Sequence, residues 1–163
     1  MVQGQGFDAM WEQVEVARLK LVESVRALPP EKRSLETPKS LAPLAVIEHM
    51  RLAEDYIVPI IEAQKGRPPH KPGPNFVFRL IIKWARSGKN MPTIKEMTPT
   101  ALPDLDSAAA KWADFRAGIH PLLAATPDDR AVFRHPVMGW MGRMDILELW
   151  SAHTEYHQAR LPR

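Results

Sequence analysis

Prolines divide this chain more sharply than any other feature of its sequence. Sixteen of the 163 residues are proline, about twice the usual frequency, and each one removes a backbone hydrogen-bond donor from a helix or strand. The stretches between them carry apolar residues at three- and four-residue steps, which is typical of amphipathic helices. No segment alternates convincingly between apolar and polar residues with β-branched enrichment, so no sheet is expected.

Four long helices are predicted from these stretches. Their approximate ranges are 7–28, 43–65, 104–122 and 143–161. Pro43 suits the first turn of the second helix, whereas Pro59 should kink that helix further along. Asp104 should begin the third helix, Pro121 marks strain near its end, and its apolar stripe runs on to Leu122.

One short helix is predicted in the long connection between the second and third long helices. Asn75 should cap it, Phe76, Ile81 and Trp84 lie on it, and it should end near Gly88. No repeat and no Gly/Ser-rich linker separates the helices, so a single domain over 1–163 is expected. The predicted fold is therefore all-α, a four-helix bundle with one short extra helix.

Composition excludes several classes of protein and site. Apolar residues make up 45% and charged residues 25% of the chain, which is typical of a globular protein. The absence of cysteine excludes disulfides, thiolate ligands and a cysteine nucleophile, and it fits a reducing compartment. No secretory signal or membrane-spanning stretch is recognisable, so a cytoplasmic protein is expected. The net charge is +3, and lysines and arginines are interleaved with 19 acids, so neither nucleic acid nor a membrane is an expected partner.

The most informative polar residues are His153 and His157 in the last predicted helix. Their four-residue spacing places both imidazoles on one helix face, where two ring nitrogens can bind one metal ion. Both continue the apolar stripe of Leu147 and Trp150 and should point into the bundle. Buried neutral imidazoles need partners, and metal coordination supplies them. The alternative is that one is a hydrogen-bonded core histidine and the other is half-exposed.

His49 is the natural third ligand, because it lies on the buried stripe of the second predicted helix. The small residues Ala45 and Ala53, one turn away on either side, leave room for an ion. The alternative for a single histidine on an apolar face is a hydrogen-bonded core residue, so this assignment depends on the pair in the last helix.

The remaining histidines fit loops and helix ends. His70 lies in a loop rich in proline and glycine, and His120 stands beside Pro121 near a helix end. His135 precedes Pro136 and is interpreted as a turn residue. The chain contains no glycine-rich phosphate-binding motif and no nucleophile elbow, so histidine-based metal binding is the favoured chemistry.

Two segments carry a resemblance to a known family: FRHPVMGWMGRMDILELWSAHTEYH at 133–157 and VIEHM at 46–50. Together they resemble the DinB-like (YfiT-like) superfamily of metal-binding helical bundles. The resemblance implies a bundle with one long crossover and a divalent cation, usually zinc or nickel, on His49, His153 and His157. Tyr156 stands where relatives often carry an extra histidine, and Ala42 with the proline after it replaces the polar helix start common in the family.

The resemblance also implies a class of activity. Members of the family include transferases and maleylpyruvate isomerases that use low-molecular-weight thiols. The first hypothesis is therefore a metal-dependent enzyme of the thiol S-transferase or isomerase type acting on a small-molecule substrate, with hydrolysis by activated water as a variant. The alternatives are a non-catalytic metal-binding or stress-associated bundle, as a monomer or a homodimer, and an interaction module without metal.

Five further residues are weaker candidates around such a site. Glu48, Glu155 and Asp145 are candidates to orient the imidazoles, although Asp145 equally suits a helix cap. Arg160 is a candidate to hold an anionic substrate, with a solvated C-terminal arginine as the alternative. Tyr56 is a candidate donor to substrate, with core packing as the alternative.

Overall fold

The structure is a computed structural model, and it describes residues 6–38, 40–73, 75–91 and 95–162. The fold is mostly helical. The elements are α1 (Phe7–Ala27), α2 (Pro30–Arg33), α3 (Pro43–Asp55), α4 (Ile57–Ala63), α5 (Phe76–Arg86), a 3-10 turn (Lys95–Met97), α6 (Leu105–Ala125), β1 (Ala131–His135), β2 (Gly139–Gly142) and α7 (Arg143–Gln158). Within the described ranges, no helix has the length and apolarity needed to cross a membrane.

Two of the long helices, α6 and α7, begin where the sequence offers a capping carboxylate. The Asp104 carboxylate accepts a hydrogen bond from the backbone N–H of Ser107 (2.9 Å) at the start of α6. The Asp145 carboxylate accepts from the backbone N–H of Gly142 (2.8 Å) at the start of α7, so Asp145 is a cap. These bonds satisfy amides that the first turn of a helix leaves without an intrahelical partner.

The second predicted helix is broken rather than merely kinked. α3 ends at Asp55 and α4 starts at Ile57, with Tyr56 between them. Pro59 explains the position of the break, because it has no N–H to donate to the Asp55 carbonyl and its ring crowds that oxygen. The predicted range 43–65 is therefore two helices.

The expectation of no sheet is wrong. β1 and β2 form an antiparallel hairpin in which Phe133 lies opposite Met141 and His135 opposite Gly139. The strands are only five and four residues long, too short for an alternation of apolar and polar residues to stand out. His135, predicted to be a turn residue, is instead the last residue of β1. Its Nδ1 accepts from the backbone N–H groups two and three residues later, in the turn that follows, at 3.1 Å each.

The short helix α5 lies where it was predicted, but two of its details differ. Asn75 occupies the N-cap position, yet its side-chain amide donates to the Trp140 carbonyl (2.9 Å) rather than capping the helix with its oxygen. The buried residues of α5 are Phe78, Ile82 and Ala85, whereas Phe76 and Trp84 are exposed.

Packing between helices brings distant segments of the chain to one place. α1 packs against α7, α3 against α6, and α3 also contacts α7. The buried stripe of α6 ends in Leu123, which is fully buried, while Leu122 is 44% exposed, so the predicted stripe was wrong at its last position. The contact between α3 and α7 positions the candidate site.

A buried ion pair crosses the core. Arg116 of α6 donates to both carboxylate oxygens of Glu54 in α3 (2.8 and 2.6 Å), and the Trp112 indole N–H donates to the same carboxylate (2.8 Å). The Arg116 guanidinium also lies 5.2 Å from the ring centre of Trp150 in α7. Four buried side chains thereby connect three helices.

Candidate metal centre

Three histidines from two helices meet in the structure. His49 comes from α3, and His153 and His157 lie one turn apart on α7. The Nε2 atom of His153 is 3.2 Å from Nε2 of His49 and 3.1 Å from Nε2 of His157. The structure therefore brings together all three residues that the sequence analysis selected as ligands.

A backbone carbonyl sets the orientation and tautomer of His49. Its Nδ1 lies 2.7 Å from the Met97 carbonyl oxygen. A carbonyl only accepts hydrogen bonds, so Nδ1 of His49 carries the proton and Nε2 presents a lone pair to the other two rings. Met97 could not be predicted from the sequence, because it lies in a proline-broken connection without apolar periodicity.

Hydrogen bonds among the three imidazoles cannot satisfy all of the ring nitrogens that meet here. Both short contacts involve Nε2 of His153, and a neutral imidazole nitrogen carries at most one proton there. One N–H cannot form two well-aligned hydrogen bonds to two separate nitrogens. A cation between the rings would instead accept all three Nε2 lone pairs.

The spacing also fits a metal. Zn–N bonds of about 2.0–2.1 Å in a tetrahedral site place neighbouring ligand nitrogens about 3.3 Å apart. The two Nε2 separations in the cluster are 3.2 and 3.1 Å. His49, His153 and His157 could therefore hold a divalent metal ion with little movement.

Burial keeps these imidazoles neutral. It lowers the pKa of His153 to about 3, with a smaller contribution from the nearby His49. Burial also holds the pKa of His157 well below its usual value, and it lowers that of His49 against the opposing effect of the Met97 hydrogen bond. The neutral imidazole is the form that binds a metal ion.

Nδ1 of His157 has a different environment from Nδ1 of His49. Nδ1 of His157 is buried and has no hydrogen-bond partner among the described residues. The ring is instead packed edge-on against Tyr156, with ring centres 5.0 Å apart. Aromatic packing therefore replaces the usual hydrogen bond that orients a ligand imidazole.

The three carboxylates proposed to orient the imidazoles have other partners, so that expectation is wrong. Glu48 pairs with Arg51 (2.7 Å), and Glu155 pairs with Arg86 (3.2 Å). Asp145 caps α7. Each carboxylate thus accepts from a group outside the cluster, and the Met97 carbonyl takes the role expected of them.

The structure also changes the interpretation of two weaker candidates. Arg160 donates to the Gly88 carbonyl (2.7 Å), and its guanidinium stacks 3.7 Å from the ring centre of Tyr156. Its donors bind the protein's own backbone rather than standing free for a substrate. Tyr56 is half-buried between α3 and α4, seven residues beyond His49, or about 10 Å along a helix axis.

Two other histidines and a large cavity lie away from the cluster. His70 stacks on Trp140 at 3.9 Å, and His120 packs against Trp11 at 4.6 Å between ring centres. A cavity of about 860 Å³ lies between α4, α6 and β1, and the three clustered histidines do not line it. Its position does not coincide with the candidate metal centre.

No protein-family model, curated protein or solved structure matches this chain. The functional assignment therefore depends on the geometry and chemistry of the three histidines.

Proposed function

We propose that this protein binds a divalent metal ion through His49, His153 and His157 and belongs to the DinB-like type of metal-binding bundle. The single observation that carries the proposal is the approach of three Nε2 atoms from two helices within coordination range. Neutral, buried imidazoles at such spacing are a costly arrangement without an ion and a favourable one with it.

The helix contacts support the bundle part of the proposal. The long helices α1, α3, α6 and α7 contact one another in the pairs α1–α7, α3–α6, α1–α6, α1–α3 and α3–α7. Helix α5 and the β1–β2 hairpin occupy the connections between them. In bundles of this kind, metal sites are built from side chains on facing helices, as α3 and α7 are here.

The ligand set favours zinc or nickel and an open coordination position. Imidazole nitrogens suit both metals, and three protein ligands leave a fourth position of a tetrahedral ion to a small molecule. A cation with such a position keeps a small thiol in its nucleophilic thiolate form, or activates water. The chain has no cysteine, so a thiol would come from a small molecule.

The protein's own residues hold and enclose the site. Met97 fixes the proton of His49 on Nδ1, which keeps its Nε2 available as a ligand. The ring of Tyr156 covers one side of His157, and its hydroxyl accepts from the Met91 backbone N–H (2.9 Å), which holds the connection after α5 against α7. This arrangement suits a thiol-dependent S-transferase or isomerase acting on a small-molecule substrate.

One observation favours the alternative of metal binding without catalysis. Arg160, the candidate for holding an anionic substrate, is engaged by the Gly88 and Tyr156 carbonyl oxygens. An arginine that is already hydrogen-bonded to backbone carbonyls is less available to bind a charged substrate. Both functions include metal binding. They differ in whether the bound metal keeps a coordination position open to a small molecule.

Cobalt(II) tests both steps on untagged protein. We expect a visible absorption band of four-coordinate cobalt when the metal is added, and a new near-ultraviolet thiolate-to-cobalt band when a small thiol follows. A cobalt band without a response to thiols would support the non-catalytic alternative. The absence of any cobalt band would contradict the metal site itself.

A further inference from the structure

Helix α5 presents large apolar side chains to solvent. Phe76, Val77, Leu80 and Trp84 have exposed fractions of 73%, 43%, 48% and 41%. Steps of three and four residues relate them, so they form one stripe along the helix, here called the α5 outer stripe. Four exposed large apolar residues on a helix of eleven are more than scattered surface residues account for.

The opposite face of α5 holds the helix on the protein. Phe78, Ile82 and Ala85 are buried. Arg86 forms an ion pair with Glu155 of α7 (3.2 Å), which adds a polar contact to the apolar ones. Since this face anchors α5, the outer stripe is not needed to attach the helix to the core.

The chain segment that contains α5 carries charge of a single sign, and the acids next to α5 come from α7, where Glu148 and Glu155 face Arg86. The segment 63–95 contains eight lysines and arginines and no aspartate or glutamate, unlike the rest of the chain, where both signs are interleaved. Arg79 and Lys83 are exposed and lie on one flank of the outer stripe, one turn apart. Among the described residues neither has a carboxylate within ion-pair distance, and the acid that interacts with Arg79 from further away is Asp145 at the start of α7.

The β1–β2 hairpin is attached to the start of α5. The Asn75 side chain donates to the Trp140 carbonyl (2.9 Å), so β2 is tied to the start of α5. Val137, in the turn of the same hairpin, is 63% exposed.

We propose that α5 docks on an anionic lipid surface. The outer stripe enters the boundary between headgroups and acyl chains, while Arg79 and Lys83 contact anionic headgroups. An interfacial helix combines an apolar face carrying tryptophan, phenylalanine and leucine with lysine and arginine beside it, and α5 has this composition. A helix that lies in the interface does not need the length of a membrane span. This proposal replaces the sequence-based expectation that a membrane is not a partner.

The charges argue against a second copy of the chain as the occupant. A two-fold symmetric contact places the same patch of both copies together. The outer stripes would then bring Arg79 and Lys83 close to their own counterparts, with no acid in 63–95 to neutralise them. An anionic surface covers the same apolar residues and gains from the same cations.

Vesicle flotation of the full chain tests the proposal. We expect the protein to float with vesicles of phosphatidylcholine and phosphatidylglycerol at low salt, and much less with phosphatidylcholine alone or at high salt. The Arg79→Glu/Lys83→Glu variant should bind at least about tenfold more weakly, because two cations that contact anionic headgroups are replaced by carboxylates that the headgroups repel. The Phe76→Ser/Leu80→Ser variant should also lose binding at unchanged charge.

A matched variant separates this surface from overall charge. Lys20→Glu/Lys111→Glu changes the net charge by the same amount, at exposed positions of α1 and α6. Its vesicle binding should fall only by the effect of the lower net charge, and so much less than that of Arg79→Glu/Lys83→Glu. Circular dichroism and thermal unfolding verify that every variant is folded. Failure of wild type to float with anionic vesicles overturns the proposal, and so does equal loss in the two charge variants. A dimer abolished by Phe76→Ser/Leu80→Ser, without vesicle binding, would identify a chain–chain interface instead.

Discussion

The Nδ1 atom of His49 and the carbonyl oxygen of Met97 are 2.7 Å apart, although 48 residues separate them in the chain. Because the carbonyl accepts, this contact determines which nitrogen of His49 is free. The 3-10 turn that contains Met97 thereby orients the candidate ligand on α3 toward the two candidate ligands on α7. One backbone oxygen does here what a carboxylate does in many metal sites.

This relationship predicts the tautomer of His49. In zinc-treated protein, His49 should be protonated on Nδ1 with Nε2 bound to the metal. Long-range ¹H–¹⁵N correlation spectra distinguish the two ring nitrogens directly. His70, which is exposed in its loop and lies outside the cluster, serves as the control, and zinc should leave its ring signals unchanged. A protonated Nε2 on His49 in the zinc-treated protein would contradict the arrangement.

The lowered histidine pKa values predict loss of stability in acid for the metal-free protein. In the unfolded chain a histidine has a pKa of about 6.5, whereas in the folded protein that of His153 is about 3. As the pH falls below the unfolded value, the unfolded state takes up protons that the folded state does not. The free energy of unfolding should therefore fall by about 1.4 kcal/mol per pH unit for His153 alone until the folded pKa is approached.

Denaturant titrations at several pH values, with a chelator present, measure this slope. His153→Gln removes one of the titrating groups, so its free energy of unfolding should depend less steeply on pH. Stability that is the same at pH 5 and pH 7, or a variant with the wild-type slope, would show that the imidazoles are not kept neutral by the fold.

The buried ion pair predicts a large cost for removing one partner. Glu54→Gln removes the buried carboxylate that accepts two hydrogen bonds from Arg116 and leaves the guanidinium with Glu15 (2.8 Å) as its one charged partner. The free energy of unfolding should therefore fall by about 3 kcal/mol, the lower end of the cost of breaking a buried pair. Glu62→Gln, in the exposed pair with Lys65, is the matched change and should cost less than about 1 kcal/mol. Chemical denaturation of both variants tests this, and similar small losses would mean that the buried pair contributes little.

Two glycine-to-alanine changes should act in opposite directions. Gly139 has φ of +79°, and an added Cβ would lie 2.4 Å from Oδ1 of Asn75, so Gly139→Ala should destabilise the hairpin and its contact with α5 by about 1–2 kcal/mol. Gly118 is exposed within α6, and a Cβ there meets nothing within 4 Å. Gly118→Ala should therefore stabilise the protein by about 0.5–1 kcal/mol, measured by thermal unfolding. Stabilisation by Gly139→Ala would contradict the described turn.

Periodicity explains which parts of this fold could be predicted. The apolar stripes of α1, α6 and α7 are local patterns, and proline or a capping carboxylate ends or begins them within the same few residues. The pair His153 and His157 is equally local, since both lie on one stripe of one helix. His49 could be selected because it lies on the buried stripe of another helix and the family resemblance pointed to the same residue.

The missed features depend on contacts between distant segments. No local pattern indicates that Met97 meets His49, or that Glu54 and Arg116, 62 residues apart, pair in the core rather than in solvent. The hairpin was missed because its strands are short and are held partly by Asn75, far earlier in the chain. Helical periodicity therefore predicts which face of a helix is buried, but not which residue it meets there.

Metal content tests the central claim most directly. Untagged wild-type protein, purified and then dialysed after exposure to zinc or nickel, should retain about one divalent ion per chain by elemental analysis. His153→Ala should lose that ion, while His70→Ala, which removes a histidine outside the cluster, should keep it. A wild-type protein that retains no ion under these conditions, or a His153→Ala variant that retains as much as His70→Ala, would contradict the three-histidine metal site.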